Sequence, residues 1–290
     1  MNARATFVLG LFSIGILALD VMLTVFPPLA HGGPVHRHVV RFFWVPFRAV
    51  ARRWPSSALV AWSGPSVAVG SVAMWLFWLI AGFTLLFAST PLDAAATATG
   101  PGWATRLYFS GYVASTVGLG DVVPTQPMGR LLTVAEGLAG FGLFAVATTY
   151  VLGVARAVDR GQRLALEISL ARSDAARWSR AFLRVTLDHR HYPLVQFFRP
   201  DDVRRDLVAQ LDRLVHDDLS IAGGSIDRRA SGLAKSLHYY LSEVNRACLP
   251  RSFRPLDGPA EDVATLVLLS RLNDYLGRPH RSVPAGDGHS

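Results

Sequence analysis

The sequence predicts an all-α membrane protein, and three observations lead to that fold class. Apolar stretches at residues 6–29, 66–88 and 128–155 are long enough to cross a hydrocarbon core as helices. Of the 290 residues, 51% are hydrophobic and 17% are charged, and the mean hydropathy is positive. No spanning stretch follows residue 155, so a soluble region, residues 156–290, is expected to follow the membrane part.

The first apolar stretch is predicted to be a retained transmembrane helix within residues 1–30. Arg4 before it and the small residues near Ala30 are also compatible with a secretory signal peptide. Arginines are scarce before the stretch and frequent in the loop that follows, residues 31–65, and such loops stay cytoplasmic. The N-terminus is therefore expected outside, with the loop lying inside or at the inner interface.

Two features of this region invite interpretation. Asp20 interrupts the first stretch, and an ionised carboxylate at a helix centre costs ~2.5–3.5 kcal/mol on insertion scales. We expect Asp20 to be protonated, paired with another helix or off-centre, with a structural role rather than ion handling. Residues 38–54 mix aromatics with arginines, as in a segment lying in the membrane interface, and Pro46 is expected to interrupt them.

The loop over residues 31–65 also contains three histidines, His31, His36 and His38. They are interpreted as part of a solvated loop rather than as a metal site.

The second apolar stretch, residues 66–88, follows a Gly64-Pro65 break and is predicted to be a second spanning helix. Residues 89–102 are small, polar and rich in helix breakers, which predicts an outer loop. Residues 103–115 are too short to span. They suit a half-depth helix whose C-terminal dipole end favours a cation.

Residues 116–121, which we call the filter loop, read Thr-Val-Gly-Leu-Gly-Asp. A potassium ion leaves water only if oxygens replace its hydration shell, and rings of backbone carbonyls do so in ion filters. To aim consecutive carbonyls at one axis, the backbone must alternate, and only glycine adopts the mirror-image angles cheaply. Gly118 and Gly120 satisfy this need. A dinucleotide-binding interpretation is disfavoured, because residue 123 is Val and no soluble strand–helix unit surrounds the loop.

With its flanks, the filter loop resembles that of the potassium channel superfamily, Thr-Val-Gly-Tyr-Gly-Asp, over residues 66–155. The matching positions are Tyr108-Phe109-Ser110 at the start of the half-depth pore helix, Pro124, Gly129-Arg130, and Gly140, 20 residues past Gly120. The resemblance implies an outer helix of the pore over 66–88, a pore helix with filter over 103–121 and an inner helix over 128–155. It implies K⁺ ions held at Thr116, Val117, Gly118 and Leu119, with Gly120 completing the filter, Asp121 at the outer mouth, and the Thr116 hydroxyl adding a ligand.

Two residues depart from the family pattern. Leu119 replaces the usual Tyr, as in some second pore loops of the two-pore family, and Val113 stands where Thr is common. In the family that Tyr bonds to aromatic residues of the pore helix. The Leu119 filter is therefore expected to be held by packing alone, with Val117 and Leu119 pointing outward, and to lose selectivity as external potassium falls.

On the inner helix, a spacing of 100° per residue places Phe141, Phe144, Ala145 and Thr148 on one face, which the resemblance makes the cavity lining. Glu136 lies on the order of 130° away. It is expected behind the filter, bonded to the pore helix or to Tyr112, or near the outer interface. Gly140 stands at the hinge position implied by the resemblance.

The region 156–290 is predicted to be a cytoplasmic helical domain with a disordered tail. Helices are expected from Asp201 over about 18 residues, from about 229 to 247, and from about 260 to 277. His189-x-His191 is interpreted as a surface turn, and the lone Cys248 fits a reduced compartment. Scattered arginines argue against a nucleic-acid partner. The sequence contains neither a nucleotide-binding glycine motif nor a nucleophile–base arrangement that would indicate an enzyme.

The resemblance implies a homotetramer in the cell (inner) membrane that conducts K⁺ passively, with no cofactor other than the ions in the filter. A weakly selective cation channel, which Leu119 permits, is one alternative. A non-conducting membrane sensor or scaffold that signals through its C-terminal domain is another. Arginines do not recur at every third position, so intrinsic voltage sensing is not expected.

Overall fold

The computed structural model describes residues 3–26, 34–54, 58–93, 102–170, 175–200, 202–213, 236–244, 269 and 272–273. In these ranges the order of elements is α1 (Ala3–Val25), α2 (Pro34–Arg53), α3 (Ala58–Ala61), α4 (Ser63–Phe87), β1 (Leu92–Asp93), α5 (Trp103–Ala114), β2 (Val123–Pro124), α6 (Pro127–Leu170) and α7 (Ala175–His191). Helices α1, α4 and α6 are long and apolar enough to span a membrane. The prediction of an all-α membrane protein is confirmed.

The chain divides into two compact units. The first contains the described residues of Met1–Val39 and Ala68–Gly153, and so includes α1, most of α4, α5, the filter loop and the first part of α6. The second contains those of Val40–Val67 and Val154–Ser290. The candidate site lies wholly in the first unit.

Asp20 joins three helices of the first unit through one fully buried carboxylate. Its Oδ1 accepts hydrogen bonds from the backbone N–H groups of Val35 (2.9 Å) and His36 (3.2 Å), and its Oδ2 accepts one from Trp75 Nε1 (3.0 Å). The first N–H groups of a helix have no partner within the helix, so Asp20 caps α2 from a neighbouring helix. Of the roles considered for Asp20, pairing with other helices is the one observed.

Helix α2 continues through Pro46, so the expected interruption there is wrong. Proline within a helix removes one N–H and costs roughly 3 kcal/mol. The helix is held elsewhere along its length. Asp20 caps its start, Trp44 is buried near its middle and Ala51 is buried near its end. Within the second unit Trp44 stacks on Phe197 with ring centroids 4.7 Å apart.

The expected solvated loop of histidines is also wrong where the structure describes it. His36 and His38 belong to α2, and His36 is 3% exposed, whereas His31 lies outside the described residues. The ring of His36 packs 5.9 Å from the indole of Trp75 and edge-on to Tyr150 at 6.3 Å, centroid to centroid. The Asp20 cap draws the start of α2 into this aromatic cluster, and the sequence pattern did not reveal it.

Helix α4 begins at Ser63 and includes the Gly64-Pro65 pair that was expected to precede it. Proline is tolerated in the first turn because its missing N–H would have no partner there. The hydroxyl of Ser63 fixes this end within the second unit. Its Oγ lies 2.7 Å from the carbonyl oxygen of Val60 and 2.6 Å from that of Phe197, and it donates its single proton to one of them.

The outer loop contains a short strand that composition did not predict. Strand β1 pairs with β2 in antiparallel register, Leu92 opposite Pro124 and Asp93 opposite Val123. This ladder ties the end of the outer-helix connection to the segment just after the filter loop. Residues 94–101 lie outside the described residues.

Helix α6 runs on to Leu170, well past residue 155, where the apolar run ends. The apolar pattern measures how much of a helix suits the membrane, and it does not report a polar continuation. Arg160 lies in that continuation and binds the carboxylate of Asp188 on α7 with two bonds, of 2.6 Å and 2.7 Å. Helix α7 itself was absent from the sequence prediction.

The C-terminal helix expected from Asp201 starts later. Asp202 caps a 3-10 turn at Val203–Arg205, and the helical residues 207–213 are capped by Asp206, whose Oδ1 accepts from Val208 N at 3.1 Å. Of the other two predicted helices, residues 236–244 are helical, as are 269 and 272–273. Cys248 and the tail from residue 277 lie outside the described residues.

The surface-turn interpretation of His189 and His191 is wrong, because both belong to the last turn of α7 and His189 is 5% exposed. Its Nδ1 lies 3.0 Å from the carbonyl oxygen of Val185 and so carries the proton, and its Nε2 lies 3.5 Å from the Tyr240 hydroxyl. Burial lowers the pKa of His189, so the ring is a neutral packing element.

Candidate functional site

The backbone of the filter loop alternates between mirror-image conformations. Thr116 has φ 60°, Gly118 has φ 60° and Gly120 has φ 77°. Among the residues that the structure describes, these are the positions with left-handed φ. Glycine adopts such angles without a steric penalty, whereas Thr116 pays a cost of order 1–3 kcal/mol. The alternation is the arrangement that turns successive carbonyl groups toward one side of a strand.

The filter loop begins directly after the C-terminal end of α5. The N–H of Val117 donates to the carbonyl oxygen of Tyr112 at 3.0 Å, and the N–H of Thr116 donates to that of Val113, also at 3.0 Å. These bonds close the helix and start the loop within one turn. The negative end of the α5 dipole therefore lies at Thr116, where it favours a cation.

The outer end of the loop is bonded to two tyrosines of α5. Tyr112 donates to the carbonyl oxygen of Val122, and Tyr108 donates to Oδ2 of Asp121 at 2.9 Å. Burial raises the pKa of Tyr112 to about 12, and the bond to Asp121 raises the pKa of Tyr108, so both hydroxyls keep their protons. The expectation that packing alone holds this filter is wrong, because the donors lie on the helix instead of at position 119.

An aromatic cluster supports α5 from behind. Phe109 is 1% exposed and meets Phe87 of α4 edge-to-face at 4.7 Å and Tyr112 at 5.3 Å between ring centroids. Tyr108 contacts Tyr112 in the same manner at 5.3 Å. Edge-to-face pairs add about 0.5–1.5 kcal/mol each beyond the area they bury. The hydroxyls that hold the loop are therefore carried on closely packed rings.

Helix α6 packs against the C-terminal end of α5 at Gly140. A Cβ at this position would overlap the backbone of Ala114, its carbonyl oxygen first. Gly137 and Gly142 have nothing within 4 Å of such a Cβ in the described part of the chain. Gly140 thus has a packing reason to be glycine, and its role as a hinge stays a prediction.

The face of α6 that was predicted to line a cavity is uncovered by this chain. Phe141 is 66% exposed and Phe144 is 71% exposed, and Thr148 is exposed as well. The opposite face is buried and includes Glu136 and Tyr150. Glu136 contacts Ser110 of α5 through a hydrogen bond, so the pore helix is its partner and Tyr112 is not.

Two apolar side chains of the filter loop also remain uncovered. Val117 is 62% exposed and Leu119 is 58% exposed. Both side chains therefore point outward, as expected, and the described residues of the chain leave more than half of each exposed.

Sequence reasoning missed Ser110 and the positive φ of Thr116. The sequence indicated Ser110 only as the last residue of the Tyr108-Phe109-Ser110 match to the channel family. The partners of its hydroxyl, Ile80 and Glu136, lie 30 and 26 residues away in the chain. Thr116 is not a glycine and carried no conformational signal. In the described residues, no group of three or more His, Cys, Asp or Glu side chains is arranged to hold a metal ion.

Comparison with known proteins bears on this site. The profile of a family described as "Ion channel" matches residues 73–157, which contain part of α4, all of α5, the filter loop and the first part of α6. The chain is similar to "Uncharacterized membrane protein YdjJ" of Bacillus subtilis (strain 168), with 26% identity over 163 residues, 55% of this chain and 47% of that protein. It thus spans about half the length of this relative. No solved structure matches. The profile match supports an ion channel pore domain within a multi-pass membrane protein.

Proposed function

We propose that this protein is a potassium-selective channel whose filter is built from the carbonyl groups of residues 116–120. The observation that carries the proposal is the alternating backbone, with positive φ at Thr116, Gly118 and Gly120 directly after a half-depth helix. Stacked carbonyl oxygens replace the hydration shell of K⁺ as it enters. The Thr116 hydroxyl adds an oxygen at the inner end, and Asp121 attracts cations at the outer end.

The proposed assembly is a homotetramer in the inner membrane. One chain supplies one strand of carbonyls, so a ring of ligands needs several copies around an axis. The exposed side chains of Val117 and Leu119 favour this arrangement, because neighbouring copies would cover them. Phe141 and Phe144 are exposed as well, and in a tetramer they would line a central cavity.

The proposed mechanism is passive conduction without a bound cofactor other than K⁺. The C-terminal end of α5 stabilises a cation below the filter, the carbonyl sites bind it weakly enough to release it, and ions move down their gradient. The arginines of α2 and of the α6 continuation support a cytoplasmic location for both, and in that topology the N-terminus would be outside.

The experiment that tests the proposal is ion flux through purified protein in liposomes. A potassium gradient should drive flux that sodium does not replace, and a blocker-free control with empty liposomes sets the background. Equal flux of both ions would favour the weakly selective cation channel. Absence of flux from folded, tetrameric protein would favour the membrane sensor or scaffold and overturn the channel proposal.

A further inference from the structure

Three helices of the first unit meet at the hydroxyl of Ser110. Ser110 lies on α5 and is fully buried, and its Oγ is 3.0 Å from the carbonyl oxygen of Ile80 on α4. The same Oγ is in hydrogen-bond contact with Oε1 of Glu136 on α6, which is also fully buried. One hydroxyl group thus connects the outer helix, the pore helix and the inner helix.

The number of protons at this junction decides its chemistry. A serine hydroxyl has one proton to donate, and a backbone carbonyl has none. If Ser110 donates to Ile80, its contact with Glu136 is a hydrogen bond only when the carboxyl group carries a proton and donates it. If Glu136 were ionised, two acceptors would compete for one proton and one contact would be repulsive.

The surroundings of Glu136 favour the same protonation state. Its second oxygen, Oε2, has no hydrogen-bond partner among the described residues. Glu136 belongs to neither of the ion pairs Arg160–Asp188 and Arg163–Asp159. A buried carboxylate without a cation or a full set of donors is strongly disfavoured, whereas a neutral acid with one bond is tolerated.

We infer that Glu136 is a neutral carboxylic acid that donates to Ser110, which in turn donates to Ile80, and that this relay fixes the pore helix in its conducting position. Glu136 is a positioning residue in this scheme, because it acts on the filter through α5. Ser110 lies between Tyr108 and Tyr112, whose hydroxyls hold the outer end of the filter loop. The inference rests on the proposed channel function and specifies how the filter of that channel is kept open.

The substitutions that test the relay differ in what they preserve. Glu136→Gln keeps the shape and a donor for Ser110, Glu136→Leu keeps the bulk alone, and Glu136→Ala removes both. Ser110→Ala removes the middle of the relay. Single-channel recording of each purified variant in planar bilayers should show Glu136→Gln close to wild type, and a roughly tenfold lower open probability for the Leu, Ala and Ser110→Ala variants. The Ser110→Ala/Glu136→Leu double variant should be no worse than either single variant, because both interrupt one relay.

The thermal stability of the same variants in detergent gives a readout that does not need conduction. Glu136→Gln should unfold near the wild-type temperature, and Ser110→Ala and Glu136→Leu should unfold earlier and non-additively. A Gln variant as impaired as the Leu variant in both measurements would mean that an ionised carboxylate is needed, and it would overturn the inference. If Glu136→Leu matched wild type in open probability and unfolding temperature, Glu136 would contribute only packing, and the inference would also be overturned. If wild-type protein does not conduct but the stability pattern holds, the channel proposal fails while the relay stands.

Discussion

The hydroxyl of Tyr112 donates a hydrogen bond to the carbonyl oxygen of Val122, so the pore helix holds the segment just outside the filter. In the family that this chain resembles, a tyrosine within the filter reaches back to the helix. Here the filter position is Leu119, and the donor and acceptor have exchanged sides. The filter loop is therefore still supported from the side by the pore helix, through Val122, three residues after Leu119.

Tyr112→Phe removes this bond and leaves the ring contacts with Phe109 in place. A buried hydrogen bond contributes about 0.5–1.5 kcal/mol, and each subunit of a tetramer would lose one. We expect the variant to keep conducting at high external potassium and to admit sodium as external potassium falls. The measurement is the reversal potential across a series of external potassium concentrations.

Tyr239→Phe is the matched control, because Tyr239 is 42% exposed in the second unit, outside the filter. Tyr108→Phe should have a smaller effect than Tyr112→Phe, since the Tyr108–Asp121 bond is exposed to water. Unchanged selectivity of Tyr112→Phe at the lowest potassium concentration would show that packing suffices after all.

A second prediction concerns Gly118. Its φ of 60° is strained for any residue with a Cβ, although no atom of the described residues lies within 4 Å of such a Cβ. Gly118→Ala should therefore abolish conduction or selectivity through the backbone while the protein still reaches the membrane. The flux assay in liposomes measures it.

The control for Gly118→Ala is Gly15→Ala on α1, where a Cβ also meets nothing within 4 Å of the described chain and φ is not positive. This variant should conduct as wild type does. Normal potassium flux through Gly118→Ala would contradict the assignment of the filter loop.

The sequence predicted the parts of the site that depend on local backbone needs, and it missed those that depend on distant partners. Gly118 and Gly120 stand out because few residues adopt their angles. Asp20 stood out because a carboxylate within a membrane helix is energetically costly. Its partners Val35 and Trp75 lie 15 and 55 residues away in the chain, so they could be identified only from the fold.

The partners of Tyr112 and Glu136 also depend on the fold and could not be predicted from local sequence. Helical spacing placed Glu136 away from the cavity face, but the choice between its partners required the relative height of α5 and α6. The prediction of a break at Pro46 was wrong for the opposite reason. A local rule predicted the break, but the contacts that hold α2 at other positions keep the helix continuous. Local rules therefore identified candidate residues here, and tertiary contacts decided their roles.

A third prediction uses the buried imidazole of His36. Burial lowers its pKa to about 4, although the charge of Asp20 opposes the shift. The unfolded chain, with a histidine pKa near 6.5, binds a proton between these values that the folded chain does not. Stability is therefore lost progressively as pH falls from about 6.5 to about 4, by about 3 kcal/mol from this group.

The test compares the thermal unfolding of wild type and His36→Phe in detergent from pH 7 to pH 4. Phenylalanine keeps a ring against Trp75 and Tyr150 and does not titrate. The stability of wild type relative to the variant should decline with acidification. A difference that stays constant across this range would show that the imidazole is charged or solvated in the folded protein.

The last prediction separates two roles of Gly140. If close packing is the reason for glycine, Gly140→Ala forces its Cβ into the backbone of Ala114 and should lower the stability by about 1–3 kcal/mol. Because only Ser115 separates Ala114 from the filter loop, the same variant should also disturb potassium selectivity. A hinge glycine predicts a different outcome: an altered open probability with unchanged selectivity and unchanged unfolding temperature. Gly137→Ala on the same helix is the control, since a Cβ there meets nothing within 4 Å of the described chain and costs neither stability nor selectivity. Unfolding temperature and reversal potential, measured on both variants, decide between packing and bending.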